Sequence, residues 1–345
     1  MSEISGISTH FSEDQGSRKG ILLGAPRVSV FTNTLTRFAP YALVPVVFAI
    51  GAATIQGYAS KSNLLSLLVL SSLLGLASIG ETLTIIVGGI DLSIPSVIGS
   101  ADVVVTQLYG DHWPFWLACL LIGALALAVG AFNALASLML RVHPLVITLA
   151  VGLIVEGGVL TWRHALFSGT VPSWLVSAVS VIGRTGPIPV PEVVIVWVVL
   201  SSLTIGFQRL SRLGRELYAS GANPVAARMA LVRTTWAWVV AFSLSALFAA
   251  LVGVLFAGFS GQADISVGQP YLFDTIAAVV IGGTSLLGGR GGYGRTIVGV
   301  LIISQLSTLL IGAGFGSGMQ EALLGLLVVL LVAVYGREPH VSTRI

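Results

Sequence analysis

Charged side chains are scarce in this chain. Asp, Glu, Lys and Arg together make up 9% of its 345 residues, and the formal net charge is +3. Soluble globular proteins carry about 25% charged residues, so the composition excludes that class. The few basic residues fall in short segments between apolar stretches, which argues against a nucleic-acid partner.

Side chains that could do chemistry or form crosslinks are also few. The single cysteine, Cys119, excludes an intramolecular disulfide. The five histidines lack the spacing of metal ligands, and neither of the two lysines follows the glycine-rich loop that binds ATP phosphates. We therefore expect no catalytic residue, metal site or cofactor, and we expect any ATP hydrolysis on a separate chain. Residues 1–36 lack the apolar core of a cleavable signal peptide.

Apolar residues are abundant, at 55% of the chain, and the mean hydropathy is +0.97. Because a spanning helix needs about 20 mainly apolar residues, the sequence predicts an all-α polytopic membrane protein with about ten transmembrane helices. A cytoplasmic tail (1–37) precedes the transmembrane domain (38–335), which contains a cytoplasmic loop (209–235), and a second tail (336–345) follows. The ten expected spans are 38–58, 63–80, 82–108, 114–138, 144–162, 190–208, 236–258, 272–288, 296–312 and 319–335.

The distribution of basic residues predicts the orientation. In the ten-span arrangement, all but three of the 17 Lys and Arg residues lie on the side of the two termini. The exceptions are Lys61, Arg163 and Arg184. Cytoplasmic loops carry an excess of Lys and Arg, so both termini are expected in the cytoplasm of a bacterial inner-membrane protein.

Residues 88–93, Gly-Gly-Ile-Asp-Leu-Ser, interrupt an otherwise apolar region. A carboxylate such as Asp91 costs about 2.5–3.5 kcal/mol in a membrane helix, and irregular backbone there must be buried in protein or line a water-filled cavity. The pattern predicts a broken helix in the third span, beside a transport path. Gly88 and Gly89 would let backbone groups line the path, with Asp91 and Ser93 as polar contacts. Asp91 could instead cap the half-helix that follows, and the segment could be an ordinary polar loop.

A weaker copy of this pattern occurs in the eighth span. Gly282, Gly283, Thr284 and Ser285 follow an apolar stretch that starts with Asp274 and Thr275, as Glu81 and Thr82 precede the first pair of glycines. Five spans separate the copies, so they would run in opposite directions. That arrangement suggests inverted five-helix repeats whose two copies face each other across the substrate route.

The cytoplasmic loop contains a helix start. Asn223 is a good N-cap, and Pro224 suits the first helical position. The helix is too short to be stable alone, so it needs a partner or the membrane domain. Its basic flanks suit a lipid headgroup surface or an acidic groove on a protein, and a passive loop is the other interpretation.

Three segments of the sequence resemble segments of one protein family. Residues 82–93, 218–228 and 274–291 are similar, in this order, to segments of the permease subunits of ribose-type bacterial ABC importers, within the branched-chain-type superfamily of binding-protein-dependent permeases. The second block resembles the family's coupling segment for the ATPase, whose positions here are Gly221, Asn223, Ala226, Ala227 and Arg228. Glu81, Pro95 and Ala222 depart from the residues that are usual there.

The resemblance implies a permease that carries a ribose-like monosaccharide or polyol across the inner membrane. It also implies an ATP-binding cassette ATPase, a periplasmic sugar-binding protein and a second permease copy or paralogue as partners, besides membrane lipid. The alternative is a proton-coupled secondary transporter of a small polar solute, using acids such as Asp91, Asp102, Glu156 and Asp274. Glu156 and Arg163 would share a helix face. A secondary transporter has no reason to carry the coupling segment.

Overall fold

The computed structural model describes residues 28–164 and 167–335, and these residues form thirteen helices and no strand. The chain divides into two units, Met1–Arg37 and Phe38–Ile345, and the second contains the site described below. The expected tails lie outside the described residues, apart from the start of α1. The helices are α1 (Val28–Thr54), α2 (Lys61–Ile86), α3 (Ile94–Gly110), α4 (Phe115–Leu140), α5 (Pro144–Trp162), α6 (Ser173–Val179), α7 (Glu192–Leu210), α8 (Arg212–Ala222), α9 (Pro224–Met229), α10 (Thr234–Ser260), α11 (Tyr271–Ile281), α12 (Tyr293–Gly312) and α13 (Ser317–Tyr335).

Six of the described helices are long and apolar enough to cross a bilayer, and two shorter apolar stretches accompany them. Nine of the ten expected spans overlap one helix each and the span 82–108 overlaps the end of α2 and most of α3, while α6, α8 and α9 are short connecting helices. The fold is therefore all-α and suited to a multi-pass membrane protein. The six are α2, α4, α5, α7, α10 and α12, and the shorter stretches are Pro40–Thr54 and Tyr271–Ile281.

Small residues bring the central helices together. The helix α10 packs against α2, α3 and α4. A Cβ atom placed on Gly130 of α4 would lie 2.2 Å from the carbonyl oxygen of Phe242, and one on Gly253 would lie 2.2 Å from that of Ile98. Close backbone approach at small residues is the usual way that helices associate in a membrane.

The helix break lies between α2 and α3, so the expectation of a break inside a span at 82–108 is wrong. The helix α2 runs on to Ile86 because nothing before Gly88 opposes helical geometry. Gly88 has φ 91°, which favours glycine, and its N–H donates to Ile85 O (3.0 Å) while Gly89 N–H donates to Thr84 O (2.9 Å). This is a Schellman cap. Non-helical residues then lead to α3, which carries Pro95 in its first turn.

The second pair of glycines caps α11 in the same way. Gly283 has φ 78°, its N–H donates to Val280 O (2.8 Å), and Thr284 N–H donates to Val279 O (3.2 Å). The helix α11 ends at Ile281, earlier than the expected 288. Both caps close helices whose C-terminal ends lie close together, because Thr82 of α2 and Gly282 after α11 both contact Thr296 of α12, and Gly289 N–H donates to Ile86 O (2.8 Å). The expectation that the copies run in opposite directions is therefore wrong, and they give no support for inverted repeats.

Candidate functional site

Asp91 organises the chain between α2 and α3. Its Oδ1 accepts hydrogen bonds from the N–H (3.0 Å) and the hydroxyl (2.5 Å) of Ser93. The Ser93 hydroxyl also accepts a bond from Asn133 Nδ2 of α4 (3.0 Å). Thr148 of α5 accepts from Leu92 N–H (3.0 Å). The break is thus fixed to two neighbouring helices by side-chain hydrogen bonds.

This polar cluster is sealed from solvent. Asp91 is 2% exposed, and Ser93, Glu81 and Asn133 are fully buried. A Glu81 carboxylate oxygen accepts the Asp91 N–H at 3.4 Å, and the Ser245 hydroxyl of α10 approaches Asp91. A solute cannot touch Asp91 or Ser93 in this conformation. The arrangement favours the structural role for Asp91, although its bonds go to Ser93, just before α3, and not to the N–H groups of α3 itself.

A second feature, which we name the glycine junction, consists of Ile86, Gly88, Gly221, Gly288 and Gly289. A Cβ atom on Gly221 would lie 1.8 Å from Ile86 O and 2.7 Å from Gly289 N, and one on Gly288 would lie 3.1 Å from Gly88 Cα. Gly288 and Gly289 have positive φ values of 81° and 70°. The end of α8 therefore touches the end of α2 and the segment after α11 through backbone atoms.

Hydrogen bonds hold the segment after α11 against α7 and α8. The Tyr218 hydroxyl of α8 donates to Gly291 O (3.1 Å), and Gln208 Oε1 of α7 accepts from Tyr293 N–H (3.0 Å). Gly292 N–H donates to the Thr284 hydroxyl (3.2 Å). Burial raises the pKa of Tyr218 above its ordinary value, so the hydroxyl is protonated well beyond neutral pH. Tyr218 lay within the recognised block, but the contact that it makes was not foreseen.

The expected path segments are brought to one end of the molecule, but with unequal exposure. Gly88 contacts Gly288, and Ile86 bonds to Gly289. Gly282 packs against Arg295 and Thr284 is buried, whereas Gly283 is exposed and Ser285 is half-buried. The structure thus brings Gly88 to the turn that follows 282–285, whereas Asp91 and Ser93 contact α4 and α10 instead.

The helix start in the loop is confirmed. Asn223 Oδ1 accepts from the N–H groups of Val225 and Ala226 (3.0 Å each), and Pro224 is the first residue of α9. The same end of the loop carries Ser211, whose hydroxyl caps α8 through Gly214 N–H (2.8 Å). Capped helix starts make α8 and α9 defined elements.

The expected coupling residues divide into two groups. Asn223, Ala226 and Arg228 are exposed, whereas Ala227 is only 6% exposed and Gly221 packs into the glycine junction. Ala227 therefore packs within this chain, and its role in coupling to the ATPase stays a prediction.

Three apolar side chains on and after α9 were missed by sequence reasoning. Val225 is 60% exposed, Met229 82% and Leu231 89%. Val225 and Met229 are four residues apart and so share one face of the helix, which is a signal that the sequence did carry. Exposed apolar groups clustered on one element mark a contact surface.

The remaining acids have separate surroundings. Glu156 accepts a hydrogen bond from the Ser96 hydroxyl (3.1 Å), whereas Arg163 pairs with Asp111 and lies over the Trp162 ring. Glu156 and Arg163, which were expected to share a helix face, thus have different partners and form no recorded ion pair with each other. Within the described part of the chain, no group of three or more His, Cys, Asp or Glu residues is arranged to hold a metal ion.

The chain is similar to a known family of transport proteins over most of its length. The family described as branched-chain amino acid transport system / permease component matches residues 63–333. The chain belongs to this family. It is therefore a multi-pass membrane transport subunit of the permease type, and the resemblance to ribose-type permeases is confirmed. No solved structure matches the chain.

Three curated relatives show how far the similarity extends. The ribose import permease protein RbsC of Escherichia coli K12 is 29% identical over 297 residues, covering 85% of this chain and 91% of the relative. RbsC of Bacillus subtilis is 29% identical over 313 residues, covering 88% and 93%. The autoinducer 2 import system permease protein LsrD of Klebsiella pneumoniae is 30% identical over 274 residues, covering 77% and 80%.

Proposed function

We propose that this permease carries a ribose-like monosaccharide or a related polyol across the bacterial inner membrane as part of an ATP-driven importer. Its partners are an ATPase on a separate chain, a periplasmic sugar-binding protein and a second copy or paralogue of the permease. The support is the similarity to permeases named for ribose and autoinducer 2 import. In this proposal the ten helices other than α6, α8 and α9 all cross the membrane, and both termini are cytoplasmic.

The observation that carries the ATP-driven mechanism is the contact of α8 with the glycine junction. The helices α8 and α9 form a capped pair, and the apolar side chains of Val225 and Met229 are exposed on α9. The end of α8 rests on Ile86, directly before the break that leads to α3. A force applied to α9 from outside would therefore reach the ends of α2 and α11 through backbone contact.

The proton-coupled alternative receives less support from the geometry. A proton relay needs acids in a connected series. Here the acids fall into two groups: Glu81 lies beside Asp91, whereas Asp102 lies near Asp264, which lines one cavity together with Asp274 and Glu321. We place residues 88–93 and 282–285 at the cytoplasmic half of the substrate route, where a change at the glycine junction would open or close it.

Uptake in proteoliposomes tests the energy source. The permease is reconstituted with the ATPase and binding protein encoded beside it, and uptake of labelled D-ribose and ribitol is followed without a proton gradient. We expect uptake that requires ATP on the ATPase side and that a protonophore leaves unchanged. Uptake driven by an imposed proton gradient in liposomes that contain the permease alone would support the secondary transporter instead.

Charge placed on the exposed face of α9 tests ATPase docking. Met229→Asp and Val225→Asp should each lower co-purification of the ATPase, because a carboxylate would be buried without a partner. Arg228→Glu should act in the same direction. The control is Gln262→Asp, an exposed position in the connection between α10 and α11. Normal ATPase recovery with all three α9 variants would remove α9 from the docking surface.

A further inference from the structure

A cavity of about 390 Å³ lies at the end of α11 opposite the glycine junction. It is bounded by the middle of α2, the second half of α10 and the connection that follows it, the start of α11, the second half of α12 and the start of α13. Ligand cavities in proteins typically measure about 300–1,000 Å³. No part of the path proposed above includes it.

The polar part of the cavity lining contains hydrogen-bond acceptors and also groups that can donate hydrogen bonds. Its carboxylates are Asp264, Asp274 and Glu321, and Glu321 is close enough to Asp274 to affect it electrostatically. Gln320 and Ser304 add an amide and a hydroxyl. The described lining contains no Lys, Arg or His.

Ser304 gives an independent indication that the cavity receives a ligand. It lines the cavity, it is only 5% exposed, and its hydroxyl has no hydrogen-bond partner among the residues that the structure describes. Buried hydroxyls are normally hydrogen-bonded. An unpartnered hydroxyl at a cavity wall is explained when a molecule inside the cavity supplies the missing bond.

The apolar part of the lining includes aromatic rings. Phe256 and Tyr271 meet edge to face with their centroids 5.6 Å apart, and Phe273 lies beside them. Apolar walls with a few convergent polar groups are the common composition of small-molecule sites. A sugar or polyol offers hydroxyls to the polar groups and carbon-bound hydrogens to the rings.

Charge narrows the ligand class further. Carboxylates without a basic neighbour repel a phosphorylated or carboxylated solute. The carboxylates would attract an organic cation. A transport site must release its ligand, however, and three carboxylates around one cation would bind it too tightly for release. An uncharged ligand with many hydroxyls meets both conditions.

We propose that this cavity, lined by Asp264, Asp274, Ser304 and Glu321, is a binding site for an uncharged pentose or polyol, through which the solute passes and from which anionic solutes are excluded. The proposal rests on the proposed function for its place in transport, because the cavity lies between the middle of α2 and the start of α11, farther from α8 and α9 than the glycine junction is. A solute delivered by a periplasmic binding protein would reach it before the glycine junction.

Saturation-transfer difference NMR on the full chain in lipid nanodiscs tests the site. The probes are D-ribose, ribitol, D-ribose 5-phosphate and choline, each at the same millimolar concentration. We expect signals for ribose and ribitol and none for the phosphate or choline. Ser304→Leu fills the cavity and should abolish the signals, while Ser304→Ala should weaken ribose binding by about tenfold through loss of one hydrogen bond.

Variants of the carboxylates test the exclusion of anions. Glu321→Gln combined with Asp274→Asn should let D-ribose 5-phosphate bind. The matched control is Glu192→Gln, which neutralises an exposed carboxylate outside the cavity and should change nothing. Melting temperatures identify any variant that has lost its fold, and Ser304→Ala is the milder change if Ser304→Leu does so.

Three results would overturn the proposal: no signal from either polyol with the parent, equal signals from the parent and both folded Ser304 variants, or binding of the phosphate or choline by the parent. Failure of the site is distinguishable from failure of the proposed function. ATP-driven uptake with a polyol signal that is indifferent to Ser304 removes the site alone. A Ser304-dependent signal in a permease that shows no ATP-driven uptake keeps the site and removes the function.

Discussion

Asp91 acts on its own segment of chain. Its carboxylate accepts two hydrogen bonds from Ser93, and the pair is buried among α4, α5 and α10. The motif sits where no water can replace those bonds, so their loss leaves buried donors without a partner. The residue therefore belongs to the packing of the helix break, and its influence on transport passes through the shape of that break.

Substitutions at Asp91 should separate the acceptor from the charge. Asp91→Asn keeps an acceptor oxygen and should lower the melting temperature only slightly. Asp91→Leu removes a cap-like bond, worth about 1 kcal/mol, and strands buried donors at about 1–3 kcal/mol each. We expect little Asp91→Leu protein in the membrane and a clearly lower melting temperature in detergent.

Asp264 provides a matched control on the surface. It accepts hydrogen bonds from the N–H (2.8 Å) and hydroxyl (2.7 Å) of Ser266, as Asp91 does from Ser93, but both residues are exposed. Water can replace those bonds, so Asp264→Leu should cost far less stability than Asp91→Leu. Equal losses at the two positions would show that burial of the Asp91 motif contributes nothing.

Single residues show what the sequence could predict. The glycines and Asp91 in residues 88–93 predicted an interruption, and the interruption is present. The predicted start of the interruption was too early. The helix α2 continues to Ile86, and Gly88 is the first residue after it with positive φ. The partners of Asp91 could not be foreseen, since Asn133 and Thr148 lie on helices distant in sequence.

At the scale of elements, α8 is joined to the ends of α2 and α11 by backbone contact. A methyl group at Gly221 would collide with the Ile86 carbonyl, because the ideal Cβ position is 1.8 Å from that oxygen. Neither atom belongs to a flexible side chain, so only a shift of a helix end can relieve the collision. The glycine junction therefore couples the position of α8 to the helix break.

Gly221→Ala should thus damage the junction while leaving most of the molecule unchanged. Overpacking typically costs about 1–3 kcal/mol, and we expect a lower melting temperature together with reduced stimulation of the ATPase by substrate-loaded binding protein. The control is Gly206→Ala on α7, where no atom lies within 4 Å of the added methyl group. Alanine is favoured over glycine in helices by about 1 kcal/mol, so this variant should be as stable as the parent or more so. Identical behaviour of the two variants would contradict the role of the junction.

Elements were predictable to different degrees. Asn223 and Pro224 carry the local signals of a helix start, and α9 begins there. The sequence places Val225 and Met229 on one face of α9, but it does not show whether that face or the one with Ala227 packs inward. Packing against the rest of the molecule buries Ala227 and leaves Met229 exposed.

At the scale of the whole molecule, composition was enough to predict the class of protein, but it did not predict how the helices are arranged. Scarce charge and long apolar runs indicate a multi-pass membrane protein whatever the helices pack against. The relative direction of α2 and α11 depends on tertiary contact. Contacts of Thr82 and Gly282 with Thr296 show that α2 and α11 end close together and run in the same direction. The count of expected spans had predicted opposite directions.

The molecule has two distinct ends. The glycine junction, α8 and α9 mark one, and the N-terminal end of α10 packs near it. The other carries α6, which meets the far end of α10 through Leu175 and Gly258. The cavity lies between these ends, beside the middle of α2 and the start of α11. Arg209, Arg212, Arg215, Arg228 and Arg233 all belong to the first end or to the loop that contains α8 and α9. An excess of basic residues marks the cytoplasmic side.

Accessibility of single cysteines should reveal this orientation. In a Cys119→Ser background, Gln262→Cys and Ser173→Cys should react with an impermeant thiol reagent in intact spheroplasts, whereas Arg215→Cys should be protected. All three positions are exposed in the structure, so all should react after permeabilisation, which is the control for thiol reactivity. Reaction at position 215 with protection at 173 and 262 would reverse the orientation and place α8 and α9 where no cytoplasmic ATPase could reach them. Reaction at all three in intact spheroplasts would contradict a single orientation. The prediction joins the two ends defined by the helix contacts to the two sides defined by the basic residues, and these two observations are independent of each other.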